Sequence, residues 1–87
     1  MEGELQKQEG FFNSFTTYHF ILHEDTLMQM DIKKEKILTS IHLKVAKIQN
    51  VLKEPTQISI FNGTSEIILR AASIKEKVEW TNALVQA

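Results

Sequence analysis

Eighty-seven residues, 43% of them hydrophobic and 24% charged, read as one small domain that buries only roughly 60 to 65% of its unfolded surface, which argues against disorder and against a large active-site cleft. A net charge of −1 singles out no partner, and the lack of cysteine excludes disulfides and thiolate metal sites. No apolar run approaches the ~20 residues needed to cross a bilayer, and the acidic start MEGELQ has no signal-peptide layout, so any membrane contact is expected to be peripheral.

The first expected strand, about 2–8, alternates, with Gly3, Leu5 and Lys7 on one face and Glu4, Gln6 and Gln8 on the other. Glu9-Gly10 and Asn13-Ser14 mark a turn. It carries adjacent aromatics, Phe11 and Phe12, either a core plug or an apolar tip for a membrane or partner. The second strand, about 15–23, puts Phe20 and Leu22 on one face, with Thr16 and Tyr18 nearer the loop on that face. His19 falls on the opposite face. On a strand, His19 and His23 are roughly 13 Å apart, too far to share one ion, so they read as ordinary histidines.

After His23-Glu24-Asp25 a third strand follows, about 26–32, in which Met28 and Met30 read as packing. Lys33, Lys34 and Lys36 then interrupt the pattern. From Lys33 to Lys53 six lysines face one glutamate, a local net of +5, which is either a solvated face or an anion-facing patch. Strands at about 37–43 and 45–52 come next, and Pro55 closes the second of them. Asn62-Gly63, between β-rich runs at about 57–62 and 64–71, signals a two-residue hairpin. The hairpin also explains Asn62-Gly63-Thr64 without invoking glycosylation.

The period then changes. Ser73 and Glu76 form a capping box, and Trp80, Ala83, Leu84 and Ala87 share one side of a helix over about 74–86. Seven strands in so short a chain leave edges that a bent antiparallel sandwich or partial barrel, plugged by the helix, would protect. Trp80, Phe20, Leu22 and Leu84 belong to that core. The fold class is mainly β with one C-terminal α-helix.

The first-strand motif E-G-x-L-x-K, the aromatic loop, Phe15, the run Phe20-Ile21-Leu22 and the late helix with Trp80 together resemble a pleckstrin-homology (PH) domain over nearly the entire chain. The spacing of the first twenty-two residues is similar to the Golgi-directed subgroup of oxysterol-binding, ceramide transfer and four-phosphate adaptor proteins. The resemblance implies an open end that docks phosphoinositide headgroups, with phosphatidylinositol 4-phosphate the headgroup expected. Lys7 matches the family's phosphate-contacting lysine, and Phe11 and Phe12 match its membrane-wedging loop. Lys33, Lys34 and Lys36 are expected beside Lys7, each worth about 1 kcal/mol near an anionic leaflet.

Thr16 and Tyr18 stand where lipid-binding members carry basic residues. Tyr18 supplies one hydrogen bond and no charge, so weak headgroup binding is expected. The implied role is a peripheral, cytoplasmic membrane-targeting module of a lipid-transfer or adaptor protein, on Golgi or another internal membrane. The alternative is protein recognition, with an Arf-type small GTPase or a peptide as partner. No cofactor or metal is implied, and no Ser-His-Asp, paired-carboxylate or phosphate-loop arrangement suggests an enzyme. Nucleic acid is not an expected partner, because the net charge is negative and the lysines lack interleaved aromatics. A monomer is expected.

Overall fold

In the computed structural model, which describes residues 1–10 and 14–87, seven strands precede one helix. The strands are β1 (Glu2–Glu9), β2 (Ser14–His23), β3 (Thr26–Met30), β4 (Ile37–His42), β5 (Lys47–Asn50), β6 (Gln57–Phe61) and β7 (Glu66–Arg70), followed by α1 (Ile74–Gln86). They form one antiparallel sheet in the order β4-β3-β2-β1-β7-β6-β5.

β1 joins the two halves of the sheet. It pairs with β2 along its whole length, from Glu2↔Ile21 to Glu9↔Ser14, but meets β7 only at Gln6↔Arg70 and Lys7↔Leu69. So short a seam lets the second half swing over the first. Inward residues of both halves, Leu5, Phe20, Leu27 and Ile41 from one and Ile58, Ile60 and Leu69 from the other, therefore meet in one core. The sheet bends on itself without closing into a barrel, leaving β4 and β5 as its edges. Helix α1 covers the core with Trp80 and Leu84. Trp80 lies over Gly3, where an added Cβ would stand 3.6 Å from the indole.

Local chemistry moves several expected boundaries. β3 stops at Met30 because Asp31 turns the chain, its N–H donating to the Lys36 carbonyl at 3.2 Å. The junction of the expected fourth and fifth strands is a short 3₁₀ turn, Leu43–Val45, which confines β5 to Lys47–Asn50. There the Leu43 N–H donates to the Asp25 carbonyl at 2.8 Å while its side chain joins the core.

The hairpin between β6 and β7 closes one residue later than expected. The Asn62 N–H donates to the Ser65 carbonyl at 3.1 Å, so the central pair is Gly63-Thr64. Gly63 has φ +101°, and glycine suits such a first central position. The Asn62 side chain instead accepts the N–H groups of Thr64 and Ser65 at 3.0 and 2.9 Å. At the helix start Ser73 Oγ accepts the Glu76 N–H at 3.1 Å, while no return bond from the Glu76 carboxylate occurs among the described hydrogen bonds. Ala83 is half-buried and Ala87 exposed, so the buried stripe of α1 is narrower than its periodicity suggests.

Candidate functional site

Register decides which side chains share a face, because residues directly opposite on paired strands point the same way. Lys7 opposes Thr16, and Leu5 opposes Tyr18. Phe20 opposes Gln29, which opposes Thr39. Phe20 and Leu5 are core residues, so Lys7, Thr16, Tyr18, Gln29 and Thr39 continue the core face toward one end of the sheet. The ends of β1 and β2 meet there, and the turn from β3 to β4 lies at the same end. Because β7 runs antiparallel to β1, the β6–β7 turn lies there too.

At this mouth the half-buried Lys7 donates from Nζ to Gln29 Oε1 at 3.0 Å. Gln29 is only 4% exposed. A buried amide needs a partner, and an ammonium has three donors. The pairing therefore satisfies Gln29 while fixing the position of the cation, and leaves Lys7 two further donors. Met28 and Met30, expected to pack, are only half-buried; the inward face of β3 is the other one, carrying Leu27 and Gln29, and the partner of Gln29 lies 22 residues away.

Tyr18 is on the expected face, but its hydroxyl is engaged. It donates to Glu9 Oε1 at 2.6 Å. This hydrogen bond, with burial and the Glu9 charge added, raises the Tyr18 pKa above its ordinary 10.0. Glu9 thus sets a carboxylate at the mouth, a feature absent from the sequence expectation.

The three lysines of the β3–β4 turn are exposed. Asp31 builds the turn around them: its Oδ1 accepts the N–H groups of Glu35 and Lys36 at 2.7 and 3.0 Å. Those bonds, that from Lys36 foremost, hold the Asp31 carboxyl below its ordinary pKa, assisted by the charges of Lys36 and Lys33. Lys34 adopts φ +63° and helps to lower the Glu2 pKa, whose main cause is the hydrogen bond with His19. His19 Nε2 lies 2.7 Å from Glu2 Oε2, on the opposite face from Tyr18.

The lysine-rich segment as a whole is not one patch. Lys44 sits 3.5 Å from Asp25, beside the β2–β3 turn at the other end of the sheet. Lys33, Lys34 and Lys36 lie on the β3–β4 turn, at the end where Lys7 lies. The chain's single arginine, Arg70, opposes Gln6 and so faces away from Lys7. Its Nε donates to Gln6 Oε1 at 2.7 Å, and its guanidinium lies 3.9 Å from the centroid of the Phe15 ring, a cation–π arrangement. It cannot replace the base missing at Thr16 or Tyr18.

Two depressions lie away from Lys7. One, of about 430 Å³, is lined by Glu2, Glu4, Glu76 and Glu79 beside Trp80, a charge unsuited to anions. The other, of about 260 Å³, adjoins Arg70, Gln6 and Thr17. Phe11 and Phe12, the expected apolar tip, lie outside the described residues. Among the described residues no group of three or more His, Cys, Asp or Glu side chains could hold a metal ion.

A family model described as "PH domain" matches residues 1–87. Among solved structures, the crystal structure of the C-terminal PH domain of pleckstrin in complex with D-myo-Ins(1,2,3,5,6)P5 is 31% identical, covering 100% of this chain and 92% of that one with a TM-score of 0.89. The solution structure of the C-terminal PH domain of human pleckstrin is 29% identical, covering 100% and 77% with a TM-score of 0.85. The PH domain of human oxysterol binding protein-related protein 11 is 19% identical, covering 97% and 75% with a TM-score of 0.83. No match was found among curated proteins.

Proposed function

The chain belongs to the PH-domain family, and on that footing we propose that it is a membrane-recruitment module binding a phosphoinositide headgroup weakly at the Lys7 mouth. The observation that carries this reading is the Lys7 ammonium, projected on the core face at the open end and anchored by the buried Gln29 amide. The pleckstrin relative that holds an inositol pentakisphosphate supports the ligand class. In this reading Lys7 takes the phosphate, Lys33, Lys34 and Lys36 add charge, Tyr18 adds a donor if a phosphate displaces Glu9, and Phe11 and Phe12 enter the lipid. The finer assignment is phosphatidylinositol 4-phosphate on Golgi or another internal membrane, within a lipid-transfer or adaptor protein and without catalytic chemistry.

The test is a titration of soluble inositol phosphates followed by amide NMR shifts. Wild type should saturate weakly with shifts around Lys7 and Gln29, and Lys7→Ala should bind roughly tenfold more weakly or worse, the loss of one charge-assisted contact. Equal affinities for the two proteins would overturn the assignment of Lys7. A second reading, recognition of an Arf-type small GTPase or a peptide, is favoured by one observation: the Glu9 carboxylate on Tyr18 sets negative charge where a phosphate would sit. Failure of every inositol phosphate and of anionic vesicles to bind would select it.

A further inference from the structure

The β3–β4 turn carries more than lysines. Ile32, Ile37 and Leu38 are 50%, 59% and 48% exposed, and they bracket Lys33, Lys34 and Lys36 in the chain. Scattered exposed apolar residues need no explanation, but three within one turn and its strand do.

The backbone enlarges this apolar group. In the β3–β4 ladder Gln29 opposes Thr39 and Met30 opposes Ile37, so the register slips and Leu38 is left without a partner. A bulge of this kind adds one residue, bends its strand and re-aims side chains. Here the added residue is leucine, on the edge strand β4, where an exposed apolar side chain invites aggregation unless something covers it.

Charge identifies the cover. The Asp31 carboxylate is turned onto the backbone N–H groups of Glu35 and Lys36, while the three lysines are exposed. An apolar group bracketing three exposed ammonium groups, which outnumber the exposed Glu35 carboxylate among them, matches an anionic lipid surface, where lysine heads stay at headgroup level and apolar side chains pass below.

From this arrangement we infer that Ile32, Ile37 and Leu38 form an apolar membrane anchor on the β3–β4 turn, seated on an anionic bilayer with Lys33, Lys34 and Lys36 at its headgroups. The inference rests on the membrane reading and deepens it by adding an apolar contact beside the Lys7 mouth. It also assigns the bulge a purpose.

Because the chain lacks cysteine, Ile37→Cys offers a unique point for an environment-sensitive dye. Leu52→Cys, at a residue 98% exposed between β5 and β6, is the control that should stay in water. Vesicles of phosphatidylcholine with added phosphatidylserine should blue-shift the dye at position 37 and not at 52, and vesicles of phosphatidylcholine alone should shift neither. Ile32→Ser/Ile37→Ser, its fold checked by thermal melting, should lose about tenfold in vesicle affinity and keep its affinity for soluble inositol phosphate. Vesicle binding without a dye shift at 37, or an unchanged affinity of the serine variant, would overturn the anchor. Soluble headgroup binding without vesicle binding would overturn the anchor and leave the headgroup site standing. A dye shift on vesicles without any inositol phosphate binding would retain the anchor and overturn the headgroup site. Absence of both would overturn both, and a partner protein would then be the occupant of this edge.

Discussion

At the scale of single residues, the open end depends on two polar pairs that join separate strands. Lys7 and Gln29 stabilise one another because each satisfies the other where water is partly excluded. Tyr18 and Glu9 form the second pair, and this one titrates. Its hydrogen bond, burial and the Glu9 charge raise the Tyr18 pKa, so the folded chain holds the phenolic proton more tightly than the unfolded chain does. A raised pKa contributes stability that is complete below the unfolded value and is lost as pH rises through that value toward the folded one. Denaturation midpoints of wild type should therefore fall between about pH 9 and 11 more steeply than those of Tyr18→Phe. At neutral pH the phenylalanine variant should be less stable by about 1 kcal/mol, the net worth of one such bond. Parallel pH dependences would mean that the Tyr18–Glu9 bond does not persist in solution. Strand alternation was enough to put Lys7 and Tyr18 on one face, but the acceptors Gln29 and Glu9 could be assigned only from register and rotamer.

At the scale of elements, the expected strands and helix form, and departures occur where side chains compete with the backbone pattern. The Asn62 side chain takes two loop N–H groups and shifts the hairpin centre to Gly63-Thr64. Burial of Leu43 draws the chain into a 3₁₀ turn ahead of β5. The bulge at Leu38 has no signature in alternation, because it is defined by pairing with β3. The N-cap of α1 was legible, since Ser73 precedes a helical period and its hydroxyl needs only the local Glu76 N–H. Ser73→Ala should lower the stability of the domain by about 1 kcal/mol, measured by urea denaturation, and Ser73→Asp should restore it. An unchanged midpoint for the alanine variant would mean that packing of Trp80 and Leu84 alone sets the helix start.

At the scale of the whole molecule, one tryptophan closes a sheet that has folded over itself. Trp80 is 4% exposed, lies over Gly3 and belongs to a core drawn from both halves of the sheet. Trp80→Ala should cost about 3–5 kcal/mol, a large share of the 5–15 kcal/mol typical of a folded domain. The variant should melt far below wild type, while Trp80→Phe should recover much of the loss; equal melting of all three would place the closing contact elsewhere. The succession of strands, the helix, its Ser73 cap and the inward faces of β1 and β2 were legible in the sequence alone, because period, turn chemistry and capping are local properties; the inward face of β3, which carries Leu27 and Gln29, was not. The tertiary structure decided what crosses the chain: the short β1–β7 seam that bends the sheet, the Gln29 anchor under Lys7, the turning of Arg70 to the far face, and the separation of Lys44 from the other lysines. Those follow from register between residues far apart in sequence, which no local pattern records.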